Sequence, residues 1–186
     1  MLANTHTGAV AGIQGQIIRV EVDSAPGFPG LFIVGLPDSA VRESESRIKA
    51  ALRNSAFAFS WDRRITVNLA PAHVRKTGSA FDLAIAVALL ASAGEPLPEP
   101  SGCIFLGELA LDGSLRPVPG VLPIVMEARA RGFSRAVVPL ANLREAALVP
   151  GVEVRGAASL LAAVKPGNEP GTETFVGHSE LRVGGP

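Results

Sequence analysis

The sequence predicts one α/β (α+β) domain in which helices pack on a mixed sheet. Short apolar segments rich in β-branched residues alternate along the chain with segments of helical periodicity. Hydrophobic residues make up 47% of the 186 positions, which is enough apolar material for a core. No segment repeats at a fixed period. These observations favour a single globular domain over a repeat array or a disordered chain.

Four strands are predicted in the first half of the chain. Residues 8–27 indicate two strands around Gly12–Gly15, and Pro26–Gly27 ends the second. The run LFIVGL (31–36) predicts a buried third strand, and RITVNLAP (64–71) predicts a fourth that ends at Pro71.

Two helices are predicted between and after these strands. The first begins at Asp38 or Ser39 and runs to about Ser55, with Glu43/Arg47 and Glu45/Lys49 spaced as i,i+4 pairs. The second runs from Ser79 to about Ala93 and is apolar almost all round, so we expect it in the core.

The second half predicts a hairpin followed by alternating short helices and strands. A proline-rich connector (95–102) precedes the hairpin (103–118), whose turn is Asp112–Gly113. The later elements are a helix at 120–131, a strand at 136–139, a helical turn at 142–147, a strand at 152–154 and a helix at 157–164. We therefore expect the domain to span residues 1–165 and residues 166–186, rich in Gly and Pro, to form a flexible linker or tail.

Charge and cysteine content limit the classes of partner. The net charge is zero, so only a local patch would attract nucleic acid. The single Cys103 cannot form an internal disulfide, and no signal peptide pattern precedes the first strand. The longest apolar run, 83–93, is too short to span a bilayer. We expect a cytoplasmic protein without a membrane partner.

The sequence lacks the residues that several common kinds of binding or catalytic site require. The chain has no GxxxxGK[ST] motif, which excludes nucleotide binding by a P-loop within these residues. One cysteine and three scattered histidines do not supply a zinc site, and we expect no metal. His73 is predicted to be a solvated loop residue. No G-x-S-x-G elbow supports a Ser-His-Asp triad.

Three segments carry a resemblance to a known family. They are GLPDSAVRESESRIKAALRNSAF (35–57), RITVNLAPAHVRKTGSAFDLAIAVALLAS (64–92) and GELALDGSLRPVPGVLPIVMEARARGF (107–133). In this order they resemble the N-terminal domain of the ComM/YifB family, the magnesium chelatase-like AAA+ proteins, over about residues 5–165. The resemblance implies a ribosomal protein S5 domain 2-like fold, similar to the proteolytic domain of Lon proteases.

The same resemblance places Ser79 at the nucleophile position of Lon-type peptidases. The lysine that activates this serine corresponds to Leu122, which has no lone pair to accept a proton. Lys76 lies on the preceding loop, where we expect it to be protonated and solvated. We therefore expect no catalytic residue and interpret Ser79 as a helix N-cap, whose hydroxyl accepts from the N–H of Phe81 or Asp82.

The resemblance to this family implies a hexameric AAA+ motor that acts on DNA in branch migration during natural transformation. ATP and magnesium are expected only for an AAA+ module that lies outside these 186 residues. For this chain the resemblance implies a non-catalytic role in DNA engagement or in self-association into a ring. Two alternatives stay open: a domain for protein interaction or oligomerisation alone, and a residual Lon-type serine peptidase.

A local excess of positive charge supports the DNA alternative. Between Asp38 and Ser79 there are eight Lys or Arg and four Asp or Glu. If the segments converge, they form a stripe that binds phosphates; otherwise they are ordinary solvated charges. The candidate nucleic-acid-binding residues are Arg42, Lys49, Arg53, Arg63, Arg64, Arg75 and Lys76. Trp61 either stacks on a base or packs at the domain edge.

Overall fold

The computed structural model describes residues 1–97, 101–167 and 170–176. Its strands are β1 (Leu2–Ala11), β2 (Gln14–Ala25), β3 (Gly30–Val34), β4 (Arg64–Ala70), β5 (Cys103–Phe105), β6 (Glu108–Leu109), β7 (Leu115–Arg116), β8 (Arg135–Pro139), β9 (Glu153–Ala157) and β10 (Thr172–Val176). Its α-helices are α1 (Ser39–Arg42), α2 (Ser44–Asn54), α3 (Asp82–Ser92), α4 (Val121–Ala130), α5 (Leu143–Ala146) and α6 (Leu160–Val164). A 3-10 turn, Leu140–Asn142, precedes α5.

Eight of these strands form one sheet in the order β10-β9-β8-β5-β1-β2-β4-β3. The pairs β1/β2, β2/β4 and β9/β10 are antiparallel, and the remaining neighbours are parallel. The predicted mixed sheet with packed helices is therefore confirmed. β3 and β10 are its two edge strands. The prediction of a buried strand at 31–36 is therefore wrong for one face, where Phe32, Val34 and Leu36 are exposed because no helix of the described residues covers this edge.

Helices cover both faces of this sheet, as alternate residues of β1 show. The Thr5 hydroxyl donates to the carbonyl of Ala84 in α3 (2.9 Å). Gly8, on the opposite face, lies against Ile124 of α4. One buried cluster accordingly includes residues of α2, α3 and α6, and a second includes residues of α4 and α5. None of the helices in the described parts of the chain combines the length and apolar content that a bilayer crossing requires.

The approach of α4 to the β1–β2 hairpin depends on glycine. A Cβ added to Gly15 would lie 2.4 Å from the carbonyl oxygen of Pro123, and one added to Gly8 would lie 2.3 Å from Ile124 Cγ2. Contacts this short are not tolerated, so any side chain at Gly15 pushes the backbone of α4 away from the sheet.

Two predicted elements of the first half need correction. The hairpin at 8–27 is confirmed, but β1 already begins at Leu2. The helix predicted from Asp38 or Ser39 to about Ser55 is confirmed in its extent and in its Asp38 cap, but it is not continuous, because α1 and α2 are separate on either side of Glu43. At this break the buried Ser44 hydroxyl donates to the carbonyl of Val41 (2.5 Å), which is a side-chain bond that competes with helical hydrogen bonding.

Two elements of the second half also differ from prediction. Cys103–Phe105 does not belong to the predicted hairpin but joins the large sheet between β1 and β8; only β6 and β7 pair around Gly113. Within the region 166–186, predicted to be a linker or tail, Thr172–Val176 forms strand β10 against β9. Residues 168–169 and 177–186 lie outside the described residues.

Candidate functional site: the serine turn and the aromatic pocket

The serine turn, residues 77–81, lies directly before α3. The helix begins at Asp82, and the flanking Phe81 makes no side-chain capping bond. The interpretation of Ser79 as the N-cap is therefore wrong. Its backbone carbonyl accepts from the N–H of Asp82 (3.3 Å), but its hydroxyl takes no part in capping the helix.

Tertiary hydrogen bonds replace the missing cap. The N–H of Leu83 donates to the carbonyl of Gly107 (3.1 Å), and the N–H of Gly107 donates to Ala80 (3.1 Å). Exposed N–H groups at a helix start need partners from outside the helix. Here the Gly107 carbonyl, in the segment leading into β6, supplies one such partner, which leaves the Ser79 hydroxyl available for another contact.

The Ser79 hydroxyl donates to the carboxylate of Glu108. Among the described residues, no amine or imidazole makes a hydrogen bond to this oxygen. The serine also lines a cavity of about 390 Å³. The other lining residues are Gly8, Ala9, Val10, Thr77, Gly78, Ala80, Pro119, Gly120 and Ile124. The site thus holds an oriented hydroxyl without the nitrogen base of a Ser–Lys peptidase.

Leu122 does not line the cavity that Ser79 lines. It is half-buried on α4 and lines a different groove of about 350 Å³ together with Met126 and Leu148. Gly120 and Ile124, from the same segment, line the Ser79 cavity instead. The residue that corresponds to the activating lysine therefore lies outside the lining of the Ser79 cavity.

Lys76 is not solvated, contrary to expectation. Its side chain is fully buried, and its ammonium group donates to the carbonyl of Pro71. Burial lowers the pKa of this amine, because the charged form loses its hydration. The backbone of Lys76 is held by two hydrogen bonds to the segment before α1. Its N–H donates to the carbonyl of Leu36 (3.0 Å), and its carbonyl accepts from the N–H of Asp38 (2.9 Å).

A buried ion pair lies beside the serine turn. The Arg47 guanidinium contacts both carboxylate oxygens of Asp82, with Nε at 2.7 Å and the second nitrogen at 3.0 Å. The N–H of Leu109 donates to the same carboxylate (3.0 Å). Burial raises the pKa of Asp82 to about 6, while Arg47 opposes that rise. The pair joins α2, α3 and β6 and holds the strand that carries Glu108.

The sequence patterns did not identify Glu108 as the partner of Ser79 or Arg47 as the partner of Asp82. Asp82 enters the prediction only through its backbone N–H, although it is the one charged residue in an otherwise apolar helix. A carboxylate in such a helix must be buried and paired, which is a signal for a partner such as Arg47. No comparable signal in the sequence points to Glu108, since its contact depends on the tertiary packing of β6.

The seven basic residues converge only in part. Lys49 and Arg53 lie together on α2, and Arg63 lines a neighbouring cavity. Arg64 lies on the other face of the sheet, with its guanidinium carbon 4.2 Å from the Phe32 ring centroid. Arg42 and Arg75 are exposed, and Lys76 is buried. His73 is exposed, as predicted.

The aromatic pocket is a cavity of about 400 Å³ beside α2, lined by Lys49, Leu52, Arg53, Phe57, Ala58, Phe59 and Trp61. The rings of Phe59 and Trp61 are tilted by 56°, with centroids 4.4 Å apart. Lys49 Nζ lies 5.1 Å from the Trp61 ring centroid. Trp61 is half-buried against the main core, which supports the interpretation that it packs at the domain edge, and its ring also lines the aromatic pocket.

Comparison with known proteins gives one matching family and several named relatives. A family model described as subunit ChlI of Mg-chelatase matches residues 20–142. Competence protein ComM of Haemophilus influenzae is 37% identical over 165 residues, which cover 88% of this chain and 32% of that protein. Uncharacterized protein YifB of Salmonella typhimurium is 42% identical over 150 residues, covering 80% of this chain and 29% of that protein.

A third relative matches a shorter region. DNA repair protein RadA of Bacillus subtilis is 37% identical over 86 residues, which cover 46% of this chain and 19% of that protein. The predicted resemblance to ComM and YifB is confirmed. The chain spans about a third of the length of ComM.

Proposed function

Because this chain belongs to the family described as subunit ChlI of Mg-chelatase, we propose that it is the N-terminal part of a ComM-like AAA+ protein that processes DNA. The observation that carries the proposal is the 37% identity to competence protein ComM over 88% of the chain. The similarity to DNA repair protein RadA supports the same class of substrate. Branch migration and recombination during natural transformation are the proposed process.

The proposed role of these residues within such a protein is non-catalytic DNA engagement. Arg53 and Arg63 are exposed and supply guanidinium groups that suit phosphate binding. ATP and magnesium belong, in this proposal, to the part of a ComM-like protein that the match does not cover. The Ser79–Glu108 contact is assigned a structural role on a Lon-like scaffold.

The proposal includes a location and an assembly. A DNA-processing protein whose single cysteine is buried and cannot form an internal disulfide suits the reducing cytoplasm. Copies of the full protein are proposed to form a ring, with a hexamer as the form that the ComM resemblance implies.

A second candidate function is assembly alone, and the edge strand β3 favours it. Phe32 and Val34 of this strand and Leu36 beyond it are exposed by 37%, 44% and 54%. Within the described residues, no strand pairs with the outer edge of β3. Exposed apolar side chains on an edge strand suit contact with another protein. Analytical ultracentrifugation distinguishes the two roles, since assembly predicts self-association that is indifferent to DNA.

DNA binding of the purified chain tests the main proposal. We expect fluorescence anisotropy with labelled single-stranded and duplex DNA to show binding at low salt that weakens as salt rises. Arg63→Glu should weaken it, and Arg64→Glu, which reverses a charge on the other face of the sheet, serves as the matched control. Absence of binding to either DNA at low salt would remove the DNA role and leave assembly as the better account.

A further inference from the structure

The aromatic pocket has features that DNA engagement through surface charge alone does not use. It combines three aromatic side chains with cations at its rim, and its volume of about 400 Å³ lies within the range of small-molecule sites. A second cavity of about 310 Å³, lined by Phe59 and Arg63 among others, adjoins it through their shared Phe59. The two cavities therefore adjoin the same aromatic ring, and we refer to them together as the groove.

The end of α2 builds this groove. Ala56 adopts a left-handed conformation (φ +58°), and the N–H of Phe57 donates back to the carbonyl of Leu52 (3.2 Å). This is the hydrogen bond of a Schellman helix end, which reverses the chain. Residues 57–61 consequently run back along the helix, and their aromatic side chains face Lys49 and Arg53.

The charges around the groove favour an anion. Of the acidic groups nearby, Glu45 is bound to Lys49 (2.6 Å) and Glu95 to Lys165 (2.9 Å), while the Asp62 carboxylate accepts from the Ser60 hydroxyl. Arg53 and Arg63 are exposed and form no ion pair with a described carboxylate. One guanidinium group thus lies at each cavity without a carboxylate partner among the described residues, and Arg63 also donates to the backbone carbonyl of Ser24 (3.3 Å).

A ligand that contacts both the aromatic rings and the guanidinium groups carries flat rings and phosphates. Bases of single-stranded nucleic acid stack on aromatic side chains, and their phosphates pair with arginine. In a duplex the bases are already stacked on each other and do not reach a pocket of this kind. An apolar peptide would use the rings but would leave the guanidinium groups without partners.

We propose that the aromatic pocket takes a base of single-stranded DNA, stacked on Trp61 and Phe59, with the flanking phosphates at Arg53 and Arg63. This inference rests on the proposed DNA role and adds to it a strand preference and a contact site. No bond is made or broken at the pocket, so its contribution is binding alone.

The chain contains its own reporter for this site. Trp61 is the only tryptophan and there is no tyrosine, so tryptophan emission reports the aromatic pocket alone. We expect a short oligodeoxythymidine to quench this emission to saturation. An abasic oligomer, which has the phosphates without the bases, should bind by anisotropy with little quenching. Equal quenching by both oligomers would overturn the proposal that a base stacks on Trp61.

Variants give a second measurement. Trp61→Ala should weaken oligodeoxythymidine binding roughly five- to hundred-fold with little change in its salt dependence, whereas Trp61→Phe, which keeps a ring, should retain most of the affinity. Arg53→Gln should reduce the salt dependence. Phe28→Ala and Arg144→Gln, at exposed positions outside the pocket, serve as matched controls. Thermal unfolding of each variant verifies that it is folded.

The outcomes separate this inference from the proposed function. If the chain binds oligodeoxythymidine while tryptophan emission and the Trp61→Ala affinity are unchanged, the pocket is not the site but DNA engagement stands. Tighter binding of duplex than of single strands likewise overturns only the pocket. If neither DNA binds at low salt, both proposals are wrong.

Discussion

Arg47 on α2 and Asp82 at the start of α3 form a bidentate ion pair, with N–O distances of 2.7 and 3.0 Å. The carboxylate is fully buried, and the arginine side chain is 19% exposed. Arg47 also donates to the carbonyl of Ala40 (2.9 Å), so the pair links α1, α2, α3 and β6. The segment that presents Ser79 to Glu108 is held between these elements.

Removing Arg47 should destabilise the protein in a pH-dependent way. Arg47→Met leaves the Asp82 carboxylate buried without its counter-ion, which typically costs about 3–5 kcal/mol of unfolding free energy. The pKa of Asp82 is about 6, above its ordinary value of 3.8, so the folded state binds this proton more tightly. The stability that Asp82 contributes through this raised pKa is therefore full below about pH 4 and is lost as pH rises through about 6.

Without Arg47 this pKa rises further, so we expect the loss in Arg47→Met to be larger at about pH 8 than at about pH 5. Urea unfolding at both pH values measures it. The double variant Arg47→Met/Asp82→Leu, which removes both charges, should regain much of the stability. If Arg47→Met loses the same unfolding free energy at both pH values, the raised pKa of Asp82 and its pairing with Arg47 are contradicted.

Lys76→Met should change the alkaline stability profile. The folded-state pKa of Lys76 is lowered from 10.5 by burial, so the unfolded state binds this proton more tightly and wild-type stability rises as pH approaches about 10.5. The Met variant lacks this rise. We expect its stability relative to wild type to decline in urea unfolding as pH rises towards about 10.5. The absence of tyrosine leaves few other groups titrating in this range, and a difference independent of pH would show that Lys76 is not buried as described.

Gly15→Ala should destabilise the packing of α4 on the β1–β2 hairpin. The added methyl group meets the Pro123 carbonyl oxygen at 2.4 Å and Ile124 Cα at 2.8 Å, which are backbone atoms that move only with the helix. We expect a loss of about 1–3 kcal/mol in unfolding free energy. Gly167→Ala, where an added Cβ meets nothing within 4 Å, is the control and should change little. Equal stability of both variants would place α4 farther from the sheet.

The chain should not turn over an unfolded protein substrate such as casein. The partner of the Ser79 hydroxyl is a carboxylate, and among the described residues no nitrogen base accepts its proton. Peptide release from labelled casein should be absent in wild type and in Ser79→Ala alike. Release by wild type that is lost in Ser79→Ala would instead support the residual peptidase and a basic role for Glu108, which Glu108→Gln would then test.

Sequence patterns predicted those elements whose signals are local. The β1–β2 hairpin, β4 and the apolar helix α3 follow from residue alternation, from proline and glycine positions and from uninterrupted hydrophobicity. The break at Glu43, the conformation of Ser79 and the burial of Lys76 depend instead on partners far along the chain. For example, the Gly107 carbonyl caps α3 and thereby displaces the serine hydroxyl from a role that its position favours.

The candidate site was predictable in part for the same reason. Lys49, Arg53 and Trp61 were each identified by residue type, but their meeting in one pocket requires the chain reversal at Ala56. A non-glycine residue in a left-handed conformation gives no sequence signal for such a reversal. Arg63 and Arg64 are neighbours in sequence yet lie on different surfaces, because the strand begins between them.

The salt dependence of DNA affinity tests the central claim most directly. For single-stranded DNA, the logarithm of the association constant of the purified chain should fall linearly with the logarithm of salt concentration. Arg53→Gln/Arg63→Gln should reduce that slope by about one to two, while Arg144→Gln leaves it unchanged. No measurable binding at low salt, or the same slope in the double variant and wild type, would contradict DNA engagement through this surface.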